Sequence, residues 1–160
     1  MPNQLSPTAS RFRAMLEDRG YAFEVVELSD STRTAKDAAK AIGCSVPQIA
    51  KSLIFRGSET GEALLAIVSG SNQADTGKLA RLAGEAIEKA DADFVRAQTG
   101  FAIGGVPPIG HRQPLRIWID EDLLQYDEVW GAAGTPRAVF GLPAGHLTEV
   151  TGGQVADIRK

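Results

Sequence analysis

The chain carries one cysteine, Cys44, and two histidines, His111 and His146, in 160 residues. A single thiol makes neither an internal disulfide nor a cysteine-built metal site, so the natural setting is a reducing, cytoplasmic compartment. Neither histidine stands in a metal-ligand spacing such as HExxH, and both are distant from Cys44 in sequence. No metal and no other cofactor is therefore called for; the two rings read as a loop histidine and a solvated helix histidine. Runs of about eighteen apolar residues, the length a membrane-spanning helix needs, are missing, and Met1 to Arg13 lacks the pattern of a secretory leader. An excess of basic charge is also missing: seventeen Lys and Arg face twenty Asp and Glu, a formal net charge of -3. No global positive field marks a nucleic-acid binder, and neither DNA nor a membrane is implied as a partner. Ser69-Gly70-Ser71 is not the GxSxG elbow of a serine hydrolase, although Ser69 at a strand end would point into a cleft.

What is present fits an ordered globule. The chain is 43% apolar, punctuated by seventeen glycines and eight prolines, and at this length one domain spanning residues 1–160 buries roughly two thirds of its extended surface. The charge is uneven. Arg33, Lys36, Lys40, Lys51 and Arg56 form a basic stretch, and Asp120, Glu121, Asp122, Asp127 and Glu128 an acidic one. Charge alone leaves open a local phosphate contact or two solvated faces.

Ser6-Pro7 reads as a helix cap followed by Ala9, Phe12 and Leu16 at helical spacing. Tyr21 to Leu28 is rich in aromatic and β-branched residues and predicts a strand. Thr34-Ala-Lys-Asp37 has capping-box spacing before Ala35, Ala38, Ala39 and Ile42, and Ser45-Val-Pro-Gln48 starts a turn that gives way near Lys51. Ser52 to Arg56 and Ala63 to Ser69 predict a hairpin. Asp75 or Thr76 caps a helix with Leu79, Leu82 and Ala83; Asp91 or Asp93 caps another with Phe94, Val95 and Ala97. Leu115 to Ile119 predicts a strand, Arg137 to Leu142 the last strand, and Pro143 to Leu147 a short terminal helix. The class is α+β (mixed α/β), in a single domain. Regular strand and helix alternation is missing, and GFAIGGVPPIG, from Gly100 to Gly110, has prolines where a dinucleotide-binding helix would open.

Two features bear on chemistry. Lys51 lies between a capped turn and an apolar strand, a setting that suits holding one ammonium against a phosphate or carboxylate, although a surface lysine would look the same. Gly104 and Gly105 can turn amides toward a ligand without side-chain obstruction while Pro107-Pro108 stiffen the chain beyond them; a plain tight turn is the other reading. Cys44 reads as a small apolar filler.

The order and spacing of several segments resemble the YbaK/prolyl-tRNA-synthetase-associated domain family: Lys51-Ser-Leu-Ile-Phe, Val68-Ser69-Gly70, Thr99 to His111, Ile119-Asp-Glu-Asp-Leu123 and Ala133-Gly134. The likeness runs from Thr34 through Leu147. It implies a curled mixed β-sheet surrounded by helices, and removal of a wrong amino acid from tRNA(Pro) in trans, with the acceptor end of a mischarged tRNA as partner and a transient contact with prolyl-tRNA synthetase. It further implies that Lys51 meets the terminal nucleotide and its phosphate, and that Gly104 and Gly105 receive the aminoacyl end, these three being the catalytic set. Thr34, Ser69, Gly70, Val106, Pro107, His111 and Phe140 are the implied substrate-binding set. An aminoacyl ester is already activated, so backbone donors for the developing oxyanion, with a placed water or the vicinal ribose hydroxyl, are enough without a triad. Cysteinyl-directed members carry Gly-Lys-Arg-Gly-Leu-Asp where this chain has Gly134-Thr-Pro-Arg-Ala-Val-Phe140. Phe140 in place of that aspartate makes alanine the expected substrate side chain, with cysteine as the alternative and a binding module without turnover as the competing class.

Overall fold

A computed structural model describes residues 5–29 and 34–160. Arg33, one member of the basic stretch, lies outside the described residues. Helix starts follow the local caps. Helix α1 (Pro7–Asp18) begins where Ser6 Oγ accepts from Ala9 N at 3.2 Å, and α2 (Ala35–Ile42) where Thr34 Oγ1 accepts from Asp37 N at 3.0 Å. Asp75 and Asp91 do the same for α3 (Thr76–Ala83) and α4 (Ala92–Thr99), which settles the two alternatives. A fifth helix, α5 (Leu147–Thr151), follows a 3-10 turn at Ala144–His146, so the expected terminal helix sits later than the sequence pattern places it.

The strands are β1 (Glu24–Glu27), β2 (Ile49–Gly57), β3 (Ala63–Ser69), β4 (Ile87–Lys89), β5 (Arg116–Asp120), β6 (Glu128–Ala132), β7 (Ala138–Pro143) and β8 (Gln154–Ala156). They form one mixed sheet in the order β1-β7-β6-β2-β3-β5-β8, with β4 paired to the far end of β2. The domain is thus mixed α/β, with eight strands and five helices among the described residues.

Strand β3 is buried along its whole length. Leu65 and Ile67 join a core with Phe12, Leu16 and Phe140, whereas Leu64, Ala66 and Val68 join a second with Leu79, Trp118 and Ile158. Successive side chains of a strand face opposite ways, so β3 supplies both layers. Each such Leu or Ile contributes roughly 1.5–3 kcal/mol by leaving water. Its antiparallel partner β2 is registered from Ala50 opposite Ser69 to Arg56 opposite Ala63. The hairpin connection is tied down by the Glu85 carboxylate, which accepts from Glu59 N (2.9 Å), Thr60 N (3.0 Å), Thr60 Oγ1 (2.8 Å) and Arg116 Nη2 (3.1 Å). Those donors, the Thr60 amide foremost, hold its carboxyl down at about 2.

Several expectations change. Tyr21 and Phe23 stack on each other at 5.0 Å and pack on the core, so only Glu24–Glu27 of the expected strand pairs with β7. The strand at 138–143 is not the last, because β8 follows and pairs with β5. Leu82 is 40% exposed, off the buried face of α3. Asp120 is not on a solvated acidic face: it is 0% exposed.

Candidate functional site

Strand β2 pairs with β6 only at Ile49 and Ala50, opposite Trp130 and Gly131. Past that point the two strands part, and a cavity of about 570 Å³ is walled by residues from both sides of the parting, including Lys51 and Leu53 of β2 and Trp130 of β6. The N-terminal turn of α2, from Thr34, and the glycine loop at Ile103, Gly104 and Val106 complete the wall.

Close backbone approaches build this enclosure. Gly70, just past β3, donates its N–H to Ile49 O at 2.7 Å. A side chain there would overlap the Val46 carbonyl and lie 2.9 Å from Ala35 Cβ, so glycine lets β3 end against both the 3-10 turn at Val46–Gln48 and α2. In the glycine loop, Gly104 takes a φ of +90°, and a Cβ on Gly105 would fall 2.8 Å from Thr135 Cα. The loop is pressed against the β6–β7 connection, backbone on backbone.

Lys51 reaches across the end of the hairpin and donates from Nζ to Asn72 O at 2.7 Å. Asn72 is held in turn, its Nδ2 donating to Asp120 Oδ2 and Asp122 Oδ2, both at 2.8 Å. Asp120 also accepts from Ser69 N at 3.0 Å and Asp122 N at 2.9 Å. Burial pushes the Lys51 ammonium below the ordinary lysine range, and the Asp120 charge partly offsets this. The lysine is thus third in β2 rather than at the strand's entrance, and it is braced by a buried carboxylate through Asn72. Neither Asn72 nor Asp120 stands out as a site residue in the sequence. Only the Ile119-Asp-Glu-Asp-Leu123 segment hints at one of them.

Of the ten residues named from the sequence, Thr34, Lys51, Gly70, Gly104 and Val106 come together on the cavity wall. The other five do not line it. Gly105 is buried and donates its N–H to Ala102 O at 3.0 Å, so its amide closes the loop's own turn. Among the described residues, the Gly104 and Val106 amides donate to no protein acceptor, which moves the candidate oxyanion donors to those two. Ser69 is 1% exposed, with its hydroxyl donating to Pro47 O at 2.7 Å. Pro107 is buried, and its carbonyl accepts from His111 Nε2 at 2.6 Å, so both residues brace the loop from behind. Burial lowers the His111 pKa, which favours a neutral ring with one N–H to give. Phe140 is 0% exposed and packs against Phe12 (5.0 Å) and Phe23 (6.3 Å). Its neighbour Val139 lines the cavity instead; with a period of two, one step along β7 exchanges the cavity for the core.

The apolar wall, formed by Ile49, Leu53, Trp130 and Val139, has no motif that marks it in the sequence. Ser52, also on it, has a buried hydroxyl without a protein partner among the described residues. Among the described residues the lining holds no carboxylate, imidazole or thiol group, and no cluster able to hold a metal ion occurs. Cys44 packs beside Ile49 and Trp130, and burial raises its thiol pKa, which disfavours the thiolate. No helix among the described residues is long and apolar enough to cross a membrane. The cavity can enclose a small apolar group, offer amides to an oxyanion and present the ammonium groups of Lys51 and Lys36 to a phosphate.

Fold and cavity together define a single-domain pocket protein whose lining carries backbone amides, the hydroxyls of Thr34 and Ser52 and two lysines, the half-buried Lys51 and the exposed Lys36 at the start of α2. Residues 29–150 match the aminoacyl-tRNA editing domain, and the chain belongs to that family, which includes trans-editing aminoacyl-tRNA deacylases. A crystal structure provisionally described as a trans-editing enzyme for prolyl-tRNA synthetase superposes with a TM-score of 0.93 at 54% identity, covering 98% of this chain and 99% of that one. EbsC of Enterococcus faecalis, provisionally named a Cys-tRNA(Pro)/Cys-tRNA(Cys) deacylase, is 28% identical over 86% of this chain and 90% of its own length. The proline–tRNA ligase of Brachyspira hyodysenteriae is 32% identical over 64% of this chain and 18% of its own length.

Proposed function

We propose that the chain hydrolyses the ester of mischarged tRNA(Pro) in trans in the cytoplasm, alanine before cysteine. The observation that carries this reading is the largely apolar cavity, without a carboxylate among its described lining residues, that is bordered by Lys51, Gly104 and Val106. The amino acid's side chain lies against the apolar wall, and Lys51 takes the phosphate of the terminal nucleotide. Water, placed with the help of the vicinal ribose hydroxyl, adds to the ester carbonyl. The Gly104 and Val106 amides receive the oxyanion, the carbon–oxygen bond to the ribose breaks, and the ribose oxygen leaves with a proton. One well-aimed oxyanion donor is worth about 3 kcal/mol, so backbone alone supplies a useful rate.

Phe140 does not support the preference for alanine, since it faces the core; the preference rests on the absence of a carboxylate among the described lining residues. Cysteine is the second reading, favoured by the likeness to EbsC. A methylene-sized difference gives only about 1–3 kcal/mol of discrimination, so the two esters differ in degree. The likeness to a segment of a proline–tRNA ligase supports tRNA(Pro) as the shared substrate, and a transient contact with the synthetase is part of the same proposal. The test is ester loss from alanyl-, cysteinyl-, seryl- and prolyl-tRNA(Pro). Alanyl ester is expected to go fastest and prolyl ester to survive. A cysteinyl preference reverses the substrate order, and no hydrolysis above the protein-free rate leaves only a binding module.

A further inference from the structure

The glycine loop has a second side. There, Phe101 and Ala102 of the loop, with Gly134 to Pro136 of the β6–β7 connection, face α1 and the end of α4 across a cavity of about 670 Å³. Three arginines line it, Arg11 from α1, Arg96 from α4 and Arg112 from the segment after the loop, and among the described residues no Asp or Glu does. All three are exposed. The Arg112 guanidinium lies over Gly100, with Nε 3.7 Å from where a Cβ on that residue would stand.

Among the described residues none of the three makes an ion pair, whereas Lys78, Arg116 and Arg159 each have a carboxylate within 3.1 Å. Three unneutralised guanidinium groups around one hollow, on a chain whose formal charge is -3, are a local field of the opposite sign to the molecule's own. Gathering like charges without counter-charges is unfavourable, and a bound anion offsets that repulsion. Phe101, half-buried, gives the hollow aromatic surface beside the cations, the pairing that suits nucleotides better than a bare inorganic ion. The hollow backs directly on the first cavity: Gly104 lines one and stands 3.8 Å, at a built Cβ, from Pro136 Cγ of the other.

We infer that this second cavity binds phosphates of the RNA backbone upstream of the aminoacylated end, with Arg11, Arg96 and Arg112 as the contacting groups. The inference rests on the proposed action on aminoacyl-tRNA for its choice of RNA. Guanidinium forks match phosphate oxygens in geometry as well as charge. The strand would cross the outer side of the glycine loop, so one loop would hold the ester on one face and the backbone on the other.

The test is equilibrium binding of a deacylated acceptor-stem RNA hairpin across a salt series, which does not depend on hydrolysis. Each arginine–phosphate pairing that is removed should lower the log–log salt slope by about 0.7–0.9 and weaken binding roughly five- to eightfold at 0.1 M salt relative to a 1 M reference. Single Arg96→Ala and Arg112→Ala variants should each show that weakening with melting unchanged, and Arg96→Lys should keep the slope because it keeps the charge. A triple Arg11/Arg96/Arg112→Ala variant should also raise KM for whole mischarged tRNA while hydrolysing a free aminoacyl-adenosine ester at the wild-type rate. Wild-type salt slope in the triple variant overturns the inference, as does saturation of the site by inorganic phosphate without displacement of the hairpin. If wild-type protein hydrolyses no aminoacyl-tRNA but the arginine variants still lose hairpin binding, the deacylase reading fails and this one stands.

Discussion

Asp120→Asn changes one buried oxygen into an amide and should cost far more than its size suggests. Both carboxylate oxygens of Asp120 accept from N–H groups: Oδ2 from Ser69 N and Asn72 Nδ2, Oδ1 from Asp122 N. Whichever way the asparagine amide is turned, its NH2 faces at least one donor, so at least one hydrogen bond to a charged acceptor is lost and a buried donor is left unpaired. A charged hydrogen bond contributes about 1.5–3 kcal/mol net and an unsatisfied buried group costs about 1–3 kcal/mol. A destabilisation of about 3 kcal/mol is therefore expected, which at this chain length lowers Tm by roughly 6–12 °C. Urea denaturation beside thermal unfolding measures it. Because Asn72 carries the carbonyl that holds Lys51, the variant should also lose deacylation below its melting point, with kcat/KM falling more than folded fraction. A shift under about 0.5 kcal/mol, the size of an ordinary surface substitution, would refute the account of Asp120 as the brace behind Lys51.

Lys51→Ala should reduce kcat/KM by roughly ten- to a hundredfold, the equivalent of one charged hydrogen bond to substrate, with the protein still folded and its melting lowered only by the lost bond to Asn72 O, which relief of the lysine's desolvation offsets in part; full activity in a folded variant returns Lys51 to an ordinary lysine. Lys51→Arg should fail as well, because a displacement near 1 Å in a positioned reaction costs about a hundredfold. Gly105→Ala puts a methyl against the Thr135 backbone, so a loss of about 1–3 kcal/mol together with slower hydrolysis is expected, and wild-type behaviour in both assays would show the loop to be pliable there. The Glu85 carboxyl is held at about 2, below its ordinary 4.5, so its contribution to stability is present above about 4.5 and is lost as pH falls toward 2. Glu85→Gln should flatten that part of the stability profile, read as urea midpoints from pH 6 to pH 2.5; an unchanged slope would assign the acid sensitivity to other groups.

The parts of this fold that rest on neighbours in sequence are legible without coordinates. Ser6, Thr34, Asp75 and Asp91 announce helices because each caps an amide three residues on. The β2–β3 hairpin follows from two apolar runs and a polar connection. Strands β4 and β8 are not legible, being three residues long and defined by strands distant in sequence, and β6, five residues long, pairs with the nearby β7 but contains Gly131 and no clean alternation that would mark it. The site divides in the same way. Lys51, Gly70 and Gly104 stand out by residue type and setting, and they meet. Phe140 is misplaced from the sequence because a single chain does not fix the register of β7, and one residue of register decides which face a side chain takes. Asp120 stays hidden in an acidic run, since burial of a carboxylate depends on donors such as Ser69 and Asn72, about fifty positions away.

Strand β7 separates two volumes with one thickness of chain: Val139 borders the cavity, and Phe140, directly behind it, is wedged between Phe12 and Phe23. Residue 139 cannot retreat to admit a bulkier guest without driving a fully packed aromatic ring into its neighbours. The cavity wall at that point therefore acts as a gauge whose setting is fixed by the hydrophobic core. Retuning the protein to a larger amino acid would require changes on either side of the strand, a smaller residue at 139 or a repacked core at 140, and the second kind would destabilise the whole domain.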